Sequence, residues 1–214
     1  MKGYTSETIR NVALVGHGGC GKTTFLESVL LETGAITKMG KVEDGNTVSD
    51  YDKMEIEKGY SINTSVVPVE WKDSKINFID TPGYFDFIGE VNAALRAAEA
   101  AIILVDAGAG IQVGTEQAWN YHKTFGELKE KFGEALIPFS WPLSAEIDEE
   151  LKEAIAMTDD ELMEKYFNGE AFSEEEIKAG LAKGIHDGGI VPVCSSAFSL
   201  GHGSEGLLDL LVTY

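Results

Sequence analysis

Basic residues are scarce in this chain. Seventeen lysines and arginines stand against 36 aspartates and glutamates, giving a net charge of −19. That balance excludes a protein held to nucleic acid by a broad basic surface. The deficit is uneven: residues 1–122 carry 10 basic and 17 acidic groups, residues 123–214 carry 7 and 19. The acidic clusters of the second part, Asp148-Glu149-Glu150 and Glu174-Glu175-Glu176, read as solvated helix faces or helix starts. Cysteine is scarcer still, with two in 214 residues. Cys20 lies in a glycine-rich turn and Cys194 in an apolar run, so no disulfide is expected and a reducing, cytoplasmic setting is the expectation. No apolar stretch reaches membrane length, since the longest run is Ala100 to Val105, and Met1 to Arg10 lacks the apolar core of a signal peptide. With 43% hydrophobic residues, the chain is still able to bury a sizeable core.

What the sequence does hold is centred on Gly16-His17-Gly18-Gly19-Cys20-Gly21-Lys22-Thr23, which fits the pattern G-x-x-x-x-G-K-S/T. A glycine turn with a surface lysine would match those eight positions alone, but the flanks are specific. Ile9 to Val15 is β-branched and alternating enough for a strand, and Thr24 to Leu31 places Phe25 and Val29 at helical spacing. In a strand–turn–helix, glycines let successive N–H groups point inward at an anion, and the helix N-terminus adds partial positive charge. Lys22 then offers a full charge to β- and γ-phosphates, and the Thr23 hydroxyl is placed to ligate Mg²⁺.

Further along, residues 32–62 read as a long loop with several glycines and no sustained period, and loops of that length are usually functional or mobile. Thr64 to Trp71 alternates with Val67, Val69 and Trp71 on one face, Asp73-Ser74 makes a turn, and Lys75 to Ile79 forms a second strand, predicting a hairpin at an antiparallel sheet edge. That strand runs into Asp80-Thr81-Pro82-Gly83. D-x-x-G is weak alone, but at a strand's C-terminal end, downstream of a phosphate loop, it stands where ligands bind in open α/β sheets. There Asp80 holds Mg²⁺ through a water and the Gly83 N–H faces a γ-phosphate. A helix over Phe87 to Glu99, a buried strand over Ala101 to Asp106 and a short helix over Thr115 to Lys123 follow.

Taken in order, Gly16 to Thr24, Lys58-Gly59-Tyr60-Ser61-Ile62, Asp80 to Phe87 and Val105 to Gln112 resemble the guanine-nucleotide domain of translational GTPases, specifically elongation factor G and its paralogues. The resemblance implies an α/β P-loop NTPase: a mostly parallel, doubly wound sheet with an antiparallel edge strand and a mainly helical insert subdomain. It implies GTP or GDP with Mg²⁺ as ligands, and the ribosome as a partner through domains this chain does not carry. By the same resemblance the nucleotide contacts are residues 16–24, Asp80, Gly83 and, in the final loop, Ser196-Ala197; the metal ligands are Thr23, Ser61 and Asp80. Ser61 stands where the family has a γ-phosphate-sensing Thr and keeps its hydroxyl. Tyr84 stands where elongation factor G has the His that positions the attacking water, as in the less hydrolytically active paralogues. Lys22, Gly83 and Tyr84 thus make up the catalytic set. Gly19 replaces an Asp of the main group.

The departures begin at Phe125. The family's strand ending in Asn-Lys-x-Asp, whose Asp reads the guanine edge, has no counterpart here. Phe125 to Gly133 already resembles the helix after it, and a second junction falls near Leu143-Ser144. The expected division is a core over 1–122, a helical insert-like region over 123–189 and a return to the core over 190–214. In the insert, Ile147, Leu151 and Ile155, then Ile177, Leu181 and Ile185, repeat every four residues, and Thr158-x-x-Glu161 and Ser173-x-x-Glu176 fit the capping box. Two arrangements would satisfy the strand edges: a missing strand between those at 101–106 and 190–194, which the helices on both sides of the gap favour, or direct pairing of the two. Three functional readings stand: a GTP-hydrolysing switch domain, a module that binds nucleotide without turnover, and a P-loop protein without guanine selectivity.

Overall fold

The computed structural model describes residues 3–106, 108, 109, 112, 113, 136–138, 147–194, 196–200 and 202–214. The expected helices at 115–123 and 125–133 and the junction near 143–144 lie outside them. The chain divides into two compact units, residues 1–124 with 197–208, and residues 125–196 with 209–214.

The first unit is built on β1 (Ile9–Gly16), β2 (Ser65–Trp71), β3 (Ser74–Asp80) and β4 (Ala100–Leu104), which among the described residues form a four-stranded sheet in the order β2-β3-β1-β4. β1 runs parallel to β3, with Val12 opposite Phe78, and parallel to β4, with Val15 opposite Ile103. β2 is antiparallel to β3, with Trp71 opposite Ser74. The hairpin turn is therefore Lys72-Asp73, one residue earlier than the sequence suggests, and Lys72 takes the left-handed conformation at φ 52°. Pro68 is tolerated because β2 is an edge strand.

Strand alternation places helices on both sheet faces. Ala13, Val15 and Ile79 pack against Val91 and Ala94 of α3 (Ile88–Ala97). On the other face, Phe25 of α1 (Lys22–Glu32) meets Phe78 edge-on, with ring centroids 5.6 Å apart. The segment 197–208 returns to α1, where Phe198 lies 4.8 Å from Phe25 and the buried hydroxyls of Ser28 and Ser204 are 3.1 Å apart. β4 is less buried than a central parallel strand, with only Leu104 fully covered, and β1 is its one ladder partner among the described residues.

The expected loop over 32–62 contains a helix, α2 (Lys53–Lys58), capped by a reciprocal Asp52–Glu55 box. Six residues are too few to show a hydrophobic period, so the cap is its only local signature. Two buried carboxylates fix the segment. Glu27 of α1 accepts the backbone N–H groups of Gly40 and Val48 at 2.6 Å each, and Glu55 accepts those of Ile62 and Asn63 at 2.9 Å.

The second unit holds helices α4 (Glu149–Ala156), α5 (Asp160–Phe167) and α6 (Glu174–His186), and two short parallel strands, β5 (Leu136–Pro138) and β6 (Val191–Val193). Leu151, Ile155, Leu162, Leu181 and Ile190 form its core with Ile137. α6 begins with the expected Ser173–Glu176 capping box. α5 does not begin at Thr158: the Asp159 carboxylate accepts the Glu161 N–H, while the Thr158 hydroxyl donates to the Ile155 carbonyl at the end of α4. β6 pairs with β5, with Ile137 opposite Pro192, a pairing the sequence reading did not weigh. Residues 190–196 belong to the second unit. The last helix is α7 (Ser204–Thr213), on which Leu208 is buried.

Candidate functional site

The phosphate loop begins where β1 ends. Gly16 takes φ 144°, and a Cβ there would lie 2.5 Å from the Leu104 carbonyl oxygen of β4, so no side chain fits. The loop then turns back on itself, with the Cys20 N–H donating to the His17 carbonyl, and Gly21 enters α1 at φ 98°. Lys22, 6% exposed, folds inward: its Nζ donates to the carbonyls of Gly16 at 2.9 Å and His17 at 3.0 Å. Thr24, half-buried, follows on the first turn. Burial raises the Cys20 thiol above its usual range, although the Lys22 ammonium opposes this. Cys20 thus stays a small neutral filler rather than a thiolate.

The C-terminal end of β3 brings in the second segment. Thr81 is locked by its hydroxyl to the Leu14 carbonyl at 2.6 Å, which fixes the corner Asp80–Gly83 beside the loop. The Thr23 hydroxyl lies 3.4 Å from Asp80 Oδ2, donating to it. A Cβ on Gly83 would come within 2.5 Å of Lys22 Nζ and 2.6 Å of Gly18 N, so only glycine allows this approach. The Tyr84 ring covers Gly18, contacting the space a Cβ would take there at 3.1 Å.

Asp80 is 2% exposed, and its carboxyl is pushed up to about 6, chiefly by burial; nearby Ser49 and Lys22 oppose the shift and Asp50 adds to it. Asp80 Oδ1 has no hydrogen-bond partner, nor does Asp50 Oδ2, and both are buried. Asp50 is likewise raised by burial, with the Ser61 hydroxyl beside it working the other way. Thr23, Ser61, Asp50 and Asp80 therefore present hard oxygen donors, two of them buried and unpaired. That donor chemistry suits Mg²⁺, which is held by one or two carboxylates together with ligand phosphates. Asp50 does not stand out in the sequence. Its signal is faint, one of several acidic residues in a polar stretch, and only the fold brings it near Asp80.

Of the expected site residues, 16–23, Asp80, Gly83 and Tyr84 converge, and Ser61 reaches the same carboxylates through Asp50. The final loop is different. Ala197 exchanges backbone hydrogen bonds with His202 in the first unit, while Ser196 is exposed and falls in the second.

Comparison with known proteins decides which P-loop family this is. Residues 7–128 match the elongation factor Tu GTP binding domain. The chain belongs to that family. A solved protein from Thermus thermophilus is similar over 97% of this chain, at 30% identity and a TM-score of 0.83. A bacterial selenocysteine-specific elongation factor shares the fold over 94% of the chain, at 24% identity and a TM-score of 0.50. This chain spans 40% of the first protein's length and 27% of the second's. Among the described residues, no helix is long and apolar enough to cross a membrane.

Proposed function

We propose that this chain is the GTP-binding, GTP-hydrolysing part of an elongation factor G-like translation factor, switching conformation on the γ-phosphate. The observation that carries the reading is the approach of Gly83 to Lys22 Nζ beside the buried Thr23–Asp80 pair. Bound phosphates would replace the Gly16 and His17 carbonyls as partners of Lys22. The Gly83 N–H is the candidate sensor of the γ-phosphate, and Thr23, Ser61 and Asp80, supported by Asp50, are the candidate Mg²⁺ ligands. The ion, when bound, would neutralise charge on the β- and γ-phosphates. Water would attack the γ-phosphorus as the bond to the β-phosphate oxygen breaks, giving GDP and inorganic phosphate, which takes up the water's proton, with no protein nucleophile. By the same reading residues 1–122 are the core, 123–189 an insert and 190–214 the return, with Ser196-Ala197 contacting guanine. Ribosome engagement in the cytoplasm follows from the resemblance and would use further domains.

A second reading, nucleotide binding without useful turnover, is favoured by one residue. Tyr84 carries a phenol and has no ring nitrogen to present to the attacking water. Phosphate release measured with GTP and Mg²⁺ separates the two: steady release supports hydrolysis, and tight binding with none supports the second. Displacement of bound GTP by ATP at equal concentration would contradict guanine recognition in both.

A further inference from the structure

Tyr60 and Gly18 have no assigned part in hydrolysis, yet both touch Tyr84. The Tyr60 and Tyr84 rings lie 4.6 Å apart between centroids at 56°, a favourable tilted aromatic contact, and Phe87 backs Tyr60 at 6.5 Å. On its other side Tyr84 sits over Gly18, whose missing Cβ leaves room for ring atoms Cε1, Cε2 and Cζ. Although 44% exposed, the ring is thus held from two directions. The backbone tightens the same contact, because a Cβ on Gly83 would meet Gly18 N and Cα at 2.6 and 2.7 Å. Tyr60 immediately precedes Ser61, and Tyr84 immediately follows Gly83. Their contact therefore joins the segment carrying a candidate metal ligand to the corner carrying the candidate γ-phosphate sensor.

We propose that Tyr60 is a positioning residue that holds Tyr84 in a slot over Gly18, making an aromatic cover on the phosphate loop that slows departure of a nucleoside triphosphate. This rests on the nucleotide reading above. Because the cover abuts Gly83, it acts on a triphosphate more than on a diphosphate. Gly18 is part of the device, since a Cβ there would stand 3.1 Å from the ring, which must then shift to admit it.

The test is release of fluorescent GTP and GDP analogues with Mg²⁺, by stopped flow, from the chain and from Tyr60→Ala, Tyr60→Phe, Tyr84→Ala and the Tyr60→Ala/Tyr84→Ala double variant. Tyr60→Ala should speed release of the GTP analogue about tenfold, the scale of coupling within one contact network, and of the GDP analogue less. Tyr60→Phe should restore the original rate, and the double variant should be no faster than Tyr84→Ala. In parallel, Gly18→Ala should shift the unfolding temperature less favourably in the parent chain than in Tyr84→Ala. Unaltered GTP release in Tyr60→Ala, equal effects on the two nucleotides, or an equal Gly18→Ala shift in both backgrounds overturns the proposal. Failure of the parent chain to bind either nucleotide would overturn the reading beneath it, and the unfolding cycle, which needs no ligand, would then decide the slot by itself.

Discussion

Neutralising Asp80 should stabilise this protein near neutral pH while damaging its site. The carboxyl is 2% exposed and sits at about 6 in the folded chain against 3.8 ordinarily. A raised pKa means that the folded state binds the proton more tightly than the unfolded state. Below about pH 4 both states are protonated and the group contributes no difference. Between about pH 4 and 6 the unfolded state loses its proton first, so stability falls, and above that window the loss is constant. At about 1.4 kcal/mol per pH unit across that window, about 3 kcal/mol is lost by about pH 7.5. Asp80→Asn keeps the shape and removes the titration, so its stability should exceed that of the parent by up to that amount at about pH 7.5 and by little at about pH 4. Urea unfolding of both proteins at a series of pH values, without Mg²⁺ or nucleotide, reads the difference directly. Parallel curves for the two proteins would refute the assignment of a buried, unpaired charge. Addition of Mg²⁺ with a GTP analogue should narrow the gap, because only the aspartate gains a cation.

Other consequences follow from single contacts. Lys22→Ala removes a buried charged contact of about 1.5–3 kcal/mol, so calorimetry should show triphosphate affinity falling about tenfold or more; unchanged affinity would exclude this loop as the phosphate site. Glu27→Ala leaves the Gly40 and Val48 N–H groups without their carboxylate, each such bond being worth about 1.5–3 kcal/mol. Limited proteolysis should then cut faster within residues 36–62, and Mg²⁺ with nucleotide should slow the cut in the parent chain. Intrinsic hydrolysis should be slow, and Tyr84→Phe should not change it; vigorous turnover abolished by that substitution would assign the phenol a chemical role.

The parts of the site that sequence alone made legible are those whose geometry is local. A strand, a glycine-rich turn and a helix place Gly16 to Thr23 within one short stretch, and Asp80–Gly83 is set by the strand it ends. The supports were illegible because they act across the chain. Nothing in the residues around Glu27 announces that it accepts backbone N–H groups 13 and 21 residues away, and Asp50 matters only through its proximity to Asp80. α2 is hidden because a six-residue helix shows its cap but no period. At Thr158 and Asp159 two adjacent residues could each cap a helix, and the preceding helix claims the threonine hydroxyl. The pairing of β6 with β5 joins two three-residue strands far apart in sequence, where the apolar pattern alone cannot choose a neighbour.

The central claim is that the Lys22, Thr23 and Asp80 constellation takes a nucleoside triphosphate together with Mg²⁺. Calorimetric titration of the chain with a non-hydrolysable GTP analogue, in Mg²⁺ and then in a chelator, tests it most directly. Saturable binding at one site, weakened about tenfold or more when the ion is withdrawn, is the result expected. Absence of binding, or affinity unchanged by the chelator, would contradict it.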